Sequence, residues 1–334
     1  MMAWKRVWLC LLTISLLLAS NGNAFAKNTT VVKKAPAKAT SKAPGKATVK
    51  GAPQKLFLWK VTSPESTVYL FGSIHLAKPD IYPLNKEIET AFANSNSLAL
   101  EIDEAKADKA QIQMLMLSKG MYPGDSIENH LTERTKELLK NYYDKSGLPA
   151  PMIQGFDKMK PWLLFMMLTQ MEVAKLGLDP KWGVDKHFEA EAVESGKKVR
   201  ELESAEFQLN LLSSFPDELQ DKLLQSGLLD IKELPNDLAR IFEAWKKGDA
   251  AAMNKIVSED DERYPELKVV SEKLLGQRNI AMADKIDSWM KAKQKVFVVV
   301  GAAHLVGDRG LPTLLQAKGY KVEQMTAPQV AAVK

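Results

Sequence analysis

Val296-Phe297-Val298-Val299-Val300-Gly301-Ala302-Ala303-His304 is a short apolar run that breaks at a glycine and reaches a histidine three residues later. The same signal stands far upstream, in Thr67-Val68-Tyr69-Leu70-Phe71-Gly72-Ser73-Ile74-His75. Short apolar runs bounded this way read as strands, so two of the chain's four histidines sit just past predicted strand ends. A glycine there lets the backbone turn sharply and approach a ligand. Histidine is both the commonest metal ligand and the side chain most readily tuned for proton transfer near neutral pH. One such pattern carries little; a pair in the same strand-then-turn setting marks a candidate site.

Working outward from the upstream copy, Phe57 to Val61 and Thr67 to Phe71 flank Ser63-Pro64-Glu65-Ser66 and predict a hairpin. Pro83 opens a helix over roughly 84–93 with Leu84, Ile88 and Phe92 on one face, and Leu98 to Ile102 reads as a short strand. Strand, helix and strand make a βαβ unit, so the second and third strands should run parallel, joined by a right-handed crossover. From about 105 to 272 the chain is mostly helical, with breaks at Tyr122-Pro123-Gly124-Asp125, Gly147-Leu148-Pro149 and Phe215-Pro216. The methionine-rich segment Trp162 to Met171 is apolar nearly all round and too short to span a bilayer; it reads as a buried helix or as a groove for a peptide or acyl chain. Inside this stretch Val184 to Ser195 predicts a helix stopped by Gly196, followed by a strand from Lys198 to Leu202. A helix over about 266–291 precedes the downstream strand, and a helix from Leu311 to Lys318 leads into a last strand, Tyr320 to Gln324. The expected fold class is α/β: a mixed, largely parallel sheet flanked by helices, with a large helical insertion at about 105–272.

The ends differ from the body. Lys5 and Arg6, the apolar stretch from Val7 to Ala19 and the small-x-small Ala24-Phe25-Ala26 compose a secretory signal, so export to the periplasm or outside, with cleavage after Ala26, is expected. Cys10 lies within that segment, and the mature chain would have no cysteine and no disulfide. Lys27 to Lys55 is a linker of Lys, Ala, Pro, Thr and Ser with eight lysines and no acid, too poor in apolar side chains to form a core. With these lysines, Lys5 and Arg6 set aside, the formal charge of +5 becomes −5 for the body, Leu56 to Lys334. The linker is a solvated spacer or an arm for weak contact with an anionic envelope surface. The body shows no basic face interleaved with aromatics, so nucleic acid is not an expected partner.

Four side chains fall at or just past the carboxyl ends of predicted strands: His75, Glu101, Glu203 and His304. In an open α/β sheet that rim is where ligands bind. Two imidazoles and two carboxylates suit a divalent cation such as Mn²⁺, Co²⁺ or Zn²⁺, and the corresponding chemistry is metal-assisted hydrolysis of a peptide or ester. Each residue also has a plainer reading: Glu101 as a solvent-facing strand residue, Glu203 as a local cap or ion-pair partner, the histidines as hydrogen-bonded turn residues. Arg278 could stabilise a developing oxyanion or neutralise a buried acid. His130, in a polar helix start, and His187, beside Asp185 and Glu189 on a helix, are left outside the site.

The chain contains no His-Glu-x-x-His, no Gly-x-Ser-x-Gly elbow, no phosphate-binding Gly-Lys-Ser/Thr loop and no Gly-x-Gly-x-x-Gly after a strand. It does resemble the TraB/GumN family, which includes the Tiki-type metalloproteases. The resemblance rests on Leu58-Trp59-Lys60-Val61, Tyr69 to His75, Glu101, Gly183-Val184-Asp185, Leu202-Glu203 with Gln208, Arg278-Asn279 and Val298 to Leu305, and covers Leu56 to about Glu323. It implies an α/β fold related to haem-binding ChaN-like and erythromycin-esterase-like proteins, with the His and Glu positions as active centre, and for Tiki-type members Mn²⁺- or Co²⁺-dependent proteolysis. The expectation is an exported metal-dependent hydrolase, a peptidase before an esterase. His75, Glu101 and His304 hold the metal, Glu203 acts as base or fourth ligand, and Arg278 is the electrostatic stabiliser. The alternatives are a non-catalytic haem- or metal-binding protein and an envelope or exopolysaccharide assembly factor.

Overall fold

The computed structural model describes residues 53–328. The expected signal segment and most of the expected linker lie outside the described residues. Six strands, β1 (Gln54–Thr62), β2 (Thr67–Ser73), β3 (Ser97–Leu100), β4 (Lys198–Glu201), β5 (Val296–Gly301) and β6 (Lys321–Ala327), form one sheet in the order β4-β3-β5-β2-β1-β6. β2, β5, β3 and β4 run parallel, and β1 is antiparallel to β2 and β6. The fold is α/β with a mixed sheet, as the sequence predicts. The first strand starts inside the expected linker because Gln54 and Lys55 pair with Ala327 and Thr326 of the last strand.

β2 and β3 are parallel but not neighbours: β5, from the far end of the chain, lies between them. Every residue of β5 is buried, which explains its unbroken apolar sequence, since a central parallel strand has both faces covered. The register then sets the rim. Ser73 pairs with Gly301, Leu100 with Val299, and Leu100 with Glu201, so β2 and β5 end together and β3 and β4 end two residues earlier on the same edge. Pairing runs one step beyond the last ladder: the backbone N–H groups of Leu202 and Glu203 donate to the carbonyls of Leu100 and Glu101 at 2.9 and 2.8 Å.

Helices cover both faces. After β2 comes α1 (Lys86–Ala93), capped by the Asn85 side chain, and between β3 and β4 lie α2 (Lys109–Gly120), α3 (Glu133–Ser146), α4 (Ala150–Phe156), α5 (Pro161–Lys175) and α6 (Val184–Glu194). Phe92 of α1 and Phe188 of α6 pack on Phe71 and Phe297 with ring centroids 4.8 to 5.8 Å apart. Each such buried ring stabilises the fold by about 1.5–3 kcal/mol. α5 is the methionine-rich segment, and it is a core helix: Trp162 to Met166 are all buried. Among the described residues no helix is long and apolar enough to cross a membrane.

Between β4 and β5 lie α7 (Ala205–Ser213), α8 (Asp217–Asp230), α9 (Leu234–Lys246), α10 (Ala250–Arg263), α11 (Lys268–Ser271) and α12 (Arg278–Lys291). The sequence predicts one regular helix over 266–291. Instead a π-helical stretch, Glu272–Gln277, joins α11 to α12, and such wide turns recur at functional sites. Its exit delivers Arg278 and Asn279, consecutive residues that are 1% and 2% exposed. Neighbouring helical positions project about 100° apart, so the two side chains reach different flanks of the same rim. α13 (Leu311–Ala317) then leads to β6.

Candidate functional site

The carboxyl ends of the parallel strands bring His75, Glu101, Glu203 and His304 onto one rim, each buried. The chain leaves β2 through Gly72, and a methyl group there would stand 2.4 Å from the Phe57 ring, so glycine at this position makes room for that ring. The Gly72 carbonyl accepts from the Trp245 indole N–H at 2.7 Å. Glu101 is the hub. Its Oε1 accepts from the Gly301 backbone N–H at 2.7 Å, and its Oε2 pairs with Arg278 Nη2 at 2.7 Å. Facing the same Oε1 are His75 Nε2 at 3.7 Å and His304 Nε2 at 3.8 Å. Neither Nε2 has a hydrogen-bond partner, although both are buried.

The other nitrogen of each ring has a polar neighbour, at ion-pair distance but without hydrogen-bond alignment for His75 and in a hydrogen bond for His304. His75 Nδ1 lies 2.8 Å from Asp185 Oδ1, and the Ser73 hydroxyl donates to that same oxygen. Asp185 sits in the first turn of α6, which is docked by the Val184 N–H donating to the Ile74 carbonyl at 3.1 Å. Gly183 permits this contact, because a Cβ at 183 would stand 2.3 Å from the His75 carbonyl oxygen. His304 Nδ1 is bonded to Asn279 Oδ1, whose amide is itself oriented by donation to the Arg309 carbonyl at 2.7 Å. With Oδ1 as acceptor, His304 carries its proton on Nδ1 and leaves the Nε2 lone pair toward Glu101.

Burial sets the charges. It pushes the His304 pKa down to about 3, helped by Arg278 and His75 and opposed by Glu101, so this ring is neutral. Burial disfavours charge on His75 as well, but the carboxylates of Asp185, Glu101 and Glu104 outweigh it and raise the pKa to about 9. Burial alone would raise Glu101, yet His304, Arg278, His75 and the Gly301 N–H pull it down to about 2.

Glu203 is placed differently from Glu101. Arg278 Nε lies 3.0 and 2.9 Å from its two oxygens and Nη2 2.7 Å from Oε2, while Gln208 Nε2 donates to that Oε2 at 2.9 Å. Arg278 Nη1 donates to the Leu274 carbonyl at 3.0 Å. The guanidinium thus bridges two buried acids and a π-helix carbonyl.

A cavity of about 10 Å³ opens beside His75 and Glu101, lined also by Glu104, Asp185 and Glu189. That is room for one water-sized species. Glu104 is raised above the ordinary glutamate range by burial, against the pull of Lys186 at 2.7 Å. Among the described residues no group of three or more His, Cys, Asp or Glu is drawn together closely enough to hold a metal ion as it stands. The spacing of 3.7 to 3.8 Å around Glu101 Oε1 is wider than the roughly 3.4 Å between donors in a tetrahedral zinc centre. The donor set and the two orphaned Nε2 atoms nevertheless fit such an ion.

Among the residues expected at the site, His75, Glu101 and His304 converge on one point, while Glu203 and Arg278 form the adjoining ion pair. His130 and His187 stand apart, on Asp125 and Asp217 and on Glu89 respectively. Reading the motifs for metal ligands passed over the supporting roles of Asp185 and Asn279, and Glu104 altogether. The available signals were a Gly-x-Asp at a helix start, an amide next to a buried arginine, and a second acid three residues after Glu101.

The family model described as the TraB/PrgY/gumN family matches residues 57–324. YbaP of Escherichia coli (strain K12), described as uncharacterized, is 26% identical over 250 residues, covering 74% of this chain and 87% of its own. Metalloprotease TIKI2 of Danio rerio is 24% identical over 82% of this chain and 61% of its own, and a metalloprotease TIKI homolog of Nematostella vectensis is 22% identical over 83% and 69%. The chain thus spans about three fifths of the zebrafish protein. No solved structure matches the chain.

Proposed function

The chain belongs to the TraB/PrgY/gumN family, and from that premise we propose that it is an exported metal-dependent hydrolase, a peptidase before an esterase. The observation that carries this reading is the convergence of the partnerless His75 Nε2 and His304 Nε2 on Glu101 Oε1. Metalloprotease names among the relatives support it. The cation would be Mn²⁺, Co²⁺ or Zn²⁺, held by His75, Glu101 and His304. When bound it would polarise a scissile carbonyl and make a neighbouring water a nucleophile near neutral pH.

The chain's own residues do the rest. Asp185 and Asn279 fix the ring orientations, as outer partners of ligating histidines do. Arg278 and the Gly301 N–H keep Glu101 ionised. Of the two roles open to Arg278, its contacts favour neutralising Glu101 and Glu203 over meeting an oxyanion, since its hydrogen bonds go to those acids and to the Leu274 carbonyl. Glu203, with Arg278 and Gln208 on its oxygens, is better suited to hold Arg278 in place than to exchange protons. Glu104 suits proton exchange instead, because it lines the cavity with His75 and burial raises its pKa. A haem is a poor fit to this rim, since a space of about 10 Å³ admits no macrocycle. The substrate would be a peptide or ester met in the periplasm or outside the cell, and the lysine-rich linker would at most touch an anionic envelope surface.

The test is hydrolysis of a panel of peptides and aryl esters by Mn²⁺-, Co²⁺- and Zn²⁺-loaded protein, with Glu104→Gln and Glu203→Gln alongside. The reading expects metal-dependent turnover, with the acidic limb of the pH profile lost in Glu104→Gln. Turnover that survives chelation, or no turnover with any metal, contradicts it.

A further inference from the structure

A groove of about 360 Å³ between the end of α5 and the outer face of α9 takes no part in the rim just described. One wall is a stripe of α9, Pro235, Leu238, Ala239 and Phe242, whose spacing of three and four residues puts them on one helix face. Leu176 and Leu178, just past the end of α5, form the other wall. Lys246 lies at the opposite end of α9 from Pro235, eleven residues and about 16 Å along the axis, and Lys78 and Asp80 line the same groove. Lys246 stands 3.8 Å from Asp80. Lys78 lies over Gly177, its Cε within 3.8 Å of where a Cβ would be, and forms no ion pair among the described residues.

We propose that this groove binds a long-chain carboxylate, with the acyl chain along α9 and the carboxylate between Lys78 and Lys246. Two cations against one acid leave a local surplus of positive charge at one end of an otherwise apolar slot, in a body whose net charge is negative. A peptide suits the slot less well. Its amides would need partners, whereas the wall backbone is already bonded within its own turns: Leu176 N–H to Val173 and Gly177 N–H to Ala174, at 3.1 and 2.9 Å. A polymethylene chain asks for no partner. The volume falls in the range of small-molecule sites, and the proposal stands independently of the metal reading.

The experiment is calorimetric titration of the detergent-free protein with octanoate, decanoate and dodecanoate, and with decyltrimethylammonium as the oppositely charged control. The expected result is one site, with affinity rising roughly fourfold per added methylene and no binding of the cation. Ala239→Trp, at an exposed position of α9, fills the slot and should abolish binding. Lys78→Glu/Lys246→Glu changes only exposed side chains and should weaken decanoate at least tenfold, so it tests the proposal even if the tryptophan variant misfolds. Unchanged binding in either folded variant, equal binding of decyltrimethylammonium, or no decanoate binding would overturn the proposal. So would displacement of decanoate by an uncharged apolar peptide.

Discussion

Arg278 Nη2 lies 2.7 Å from Glu101 Oε2, with both side chains 1% exposed. The contact joins the π-helical junction, where Arg278 arises, to the central strands, where Glu101 arises, and it sets the charge at the rim. Arg278 offsets one of two buried carboxylates, leaving Glu101 and Glu203 together with one surplus negative charge for a cation to meet. Without the arginine Glu203 would face desolvation with no fixed counter-charge and Glu101 would keep only the His75 imidazolium, which a buried site does not tolerate cheaply.

Arg278→Ala should therefore cost about 3–5 kcal/mol of folding stability, the usual effect of stranding a buried charge. Urea unfolding followed by circular dichroism measures it. A loss below about 1 kcal/mol, within the range of an ordinary surface substitution, would mean the pair is not a structural clamp.

Asp185→Asn and Asn279→Ala leave the proposed ligands in place but release one imidazole each. Each should weaken Mn²⁺ or Zn²⁺ affinity about 10- to 100-fold with the fold retained. Competition with a chromophoric chelator reads the affinity directly, and wild-type affinity in both variants would remove the orienting role.

Proton competition gives a pH signature. In the metal-free protein His75 holds its proton up to about pH 9, whereas His304 and Glu101, at about 3 and 2, have already lost theirs at pH 7. Metal uptake at pH 7 should release one proton, from His75, and affinity should rise about tenfold per pH unit toward pH 9 and then level. Titrations in buffers of different ionisation enthalpy count that proton; no release, or a flat affinity profile, would contradict the assignment. The same raised pKa stabilises the metal-free fold fully below pH 6.5 and ceases to do so as pH rises through about 9. From about pH 7.5 upward His304 is neutral in both folded and unfolded chains, so between there and about pH 9 the Tm of the metal-free protein should fall.

Gly183→Ala tests how α6 is seated. The new methyl would meet backbone oxygens of His75 and Pro180 at 2.3 and 2.9 Å, which cannot swing aside as a flexible side chain can. Helix α6 must back away, carrying Asp185 with it. The expected cost is about 1–3 kcal/mol together with weakened metal binding, whereas a fully stable variant with wild-type affinity would show the helix has slack.

The rim was largely legible because its strands announce themselves locally: Val296 to Val300 and Thr67 to Phe71 are short apolar runs ended by glycine. Their order was not. Parallel strands pair through non-local contacts, and nothing in the local pattern says that β5 enters between β2 and β3. That insertion is what brings His304, past the end of β5, next to both Glu101 and His75. The interruption at Glu272–Gln277 was hidden for another reason, since its residues carry an ordinary helical pattern and the extra residue per turn leaves no compositional mark. The partners of the imidazoles were obscured by proximity in sequence. Asp185 reads as a neighbour of His187, yet folding turns it toward His75, over a hundred residues away.

The most direct test of the central claim is the metal content of the protein by elemental analysis after exposure to Mn²⁺, Co²⁺ and Zn²⁺, beside a His75→Ala/His304→Ala variant shown by circular dichroism to be folded. The account predicts about one equivalent of metal in the wild type and none in the variant. Equal metal in both proteins, or none in the wild type, would contradict a cation centre at His75, Glu101 and His304.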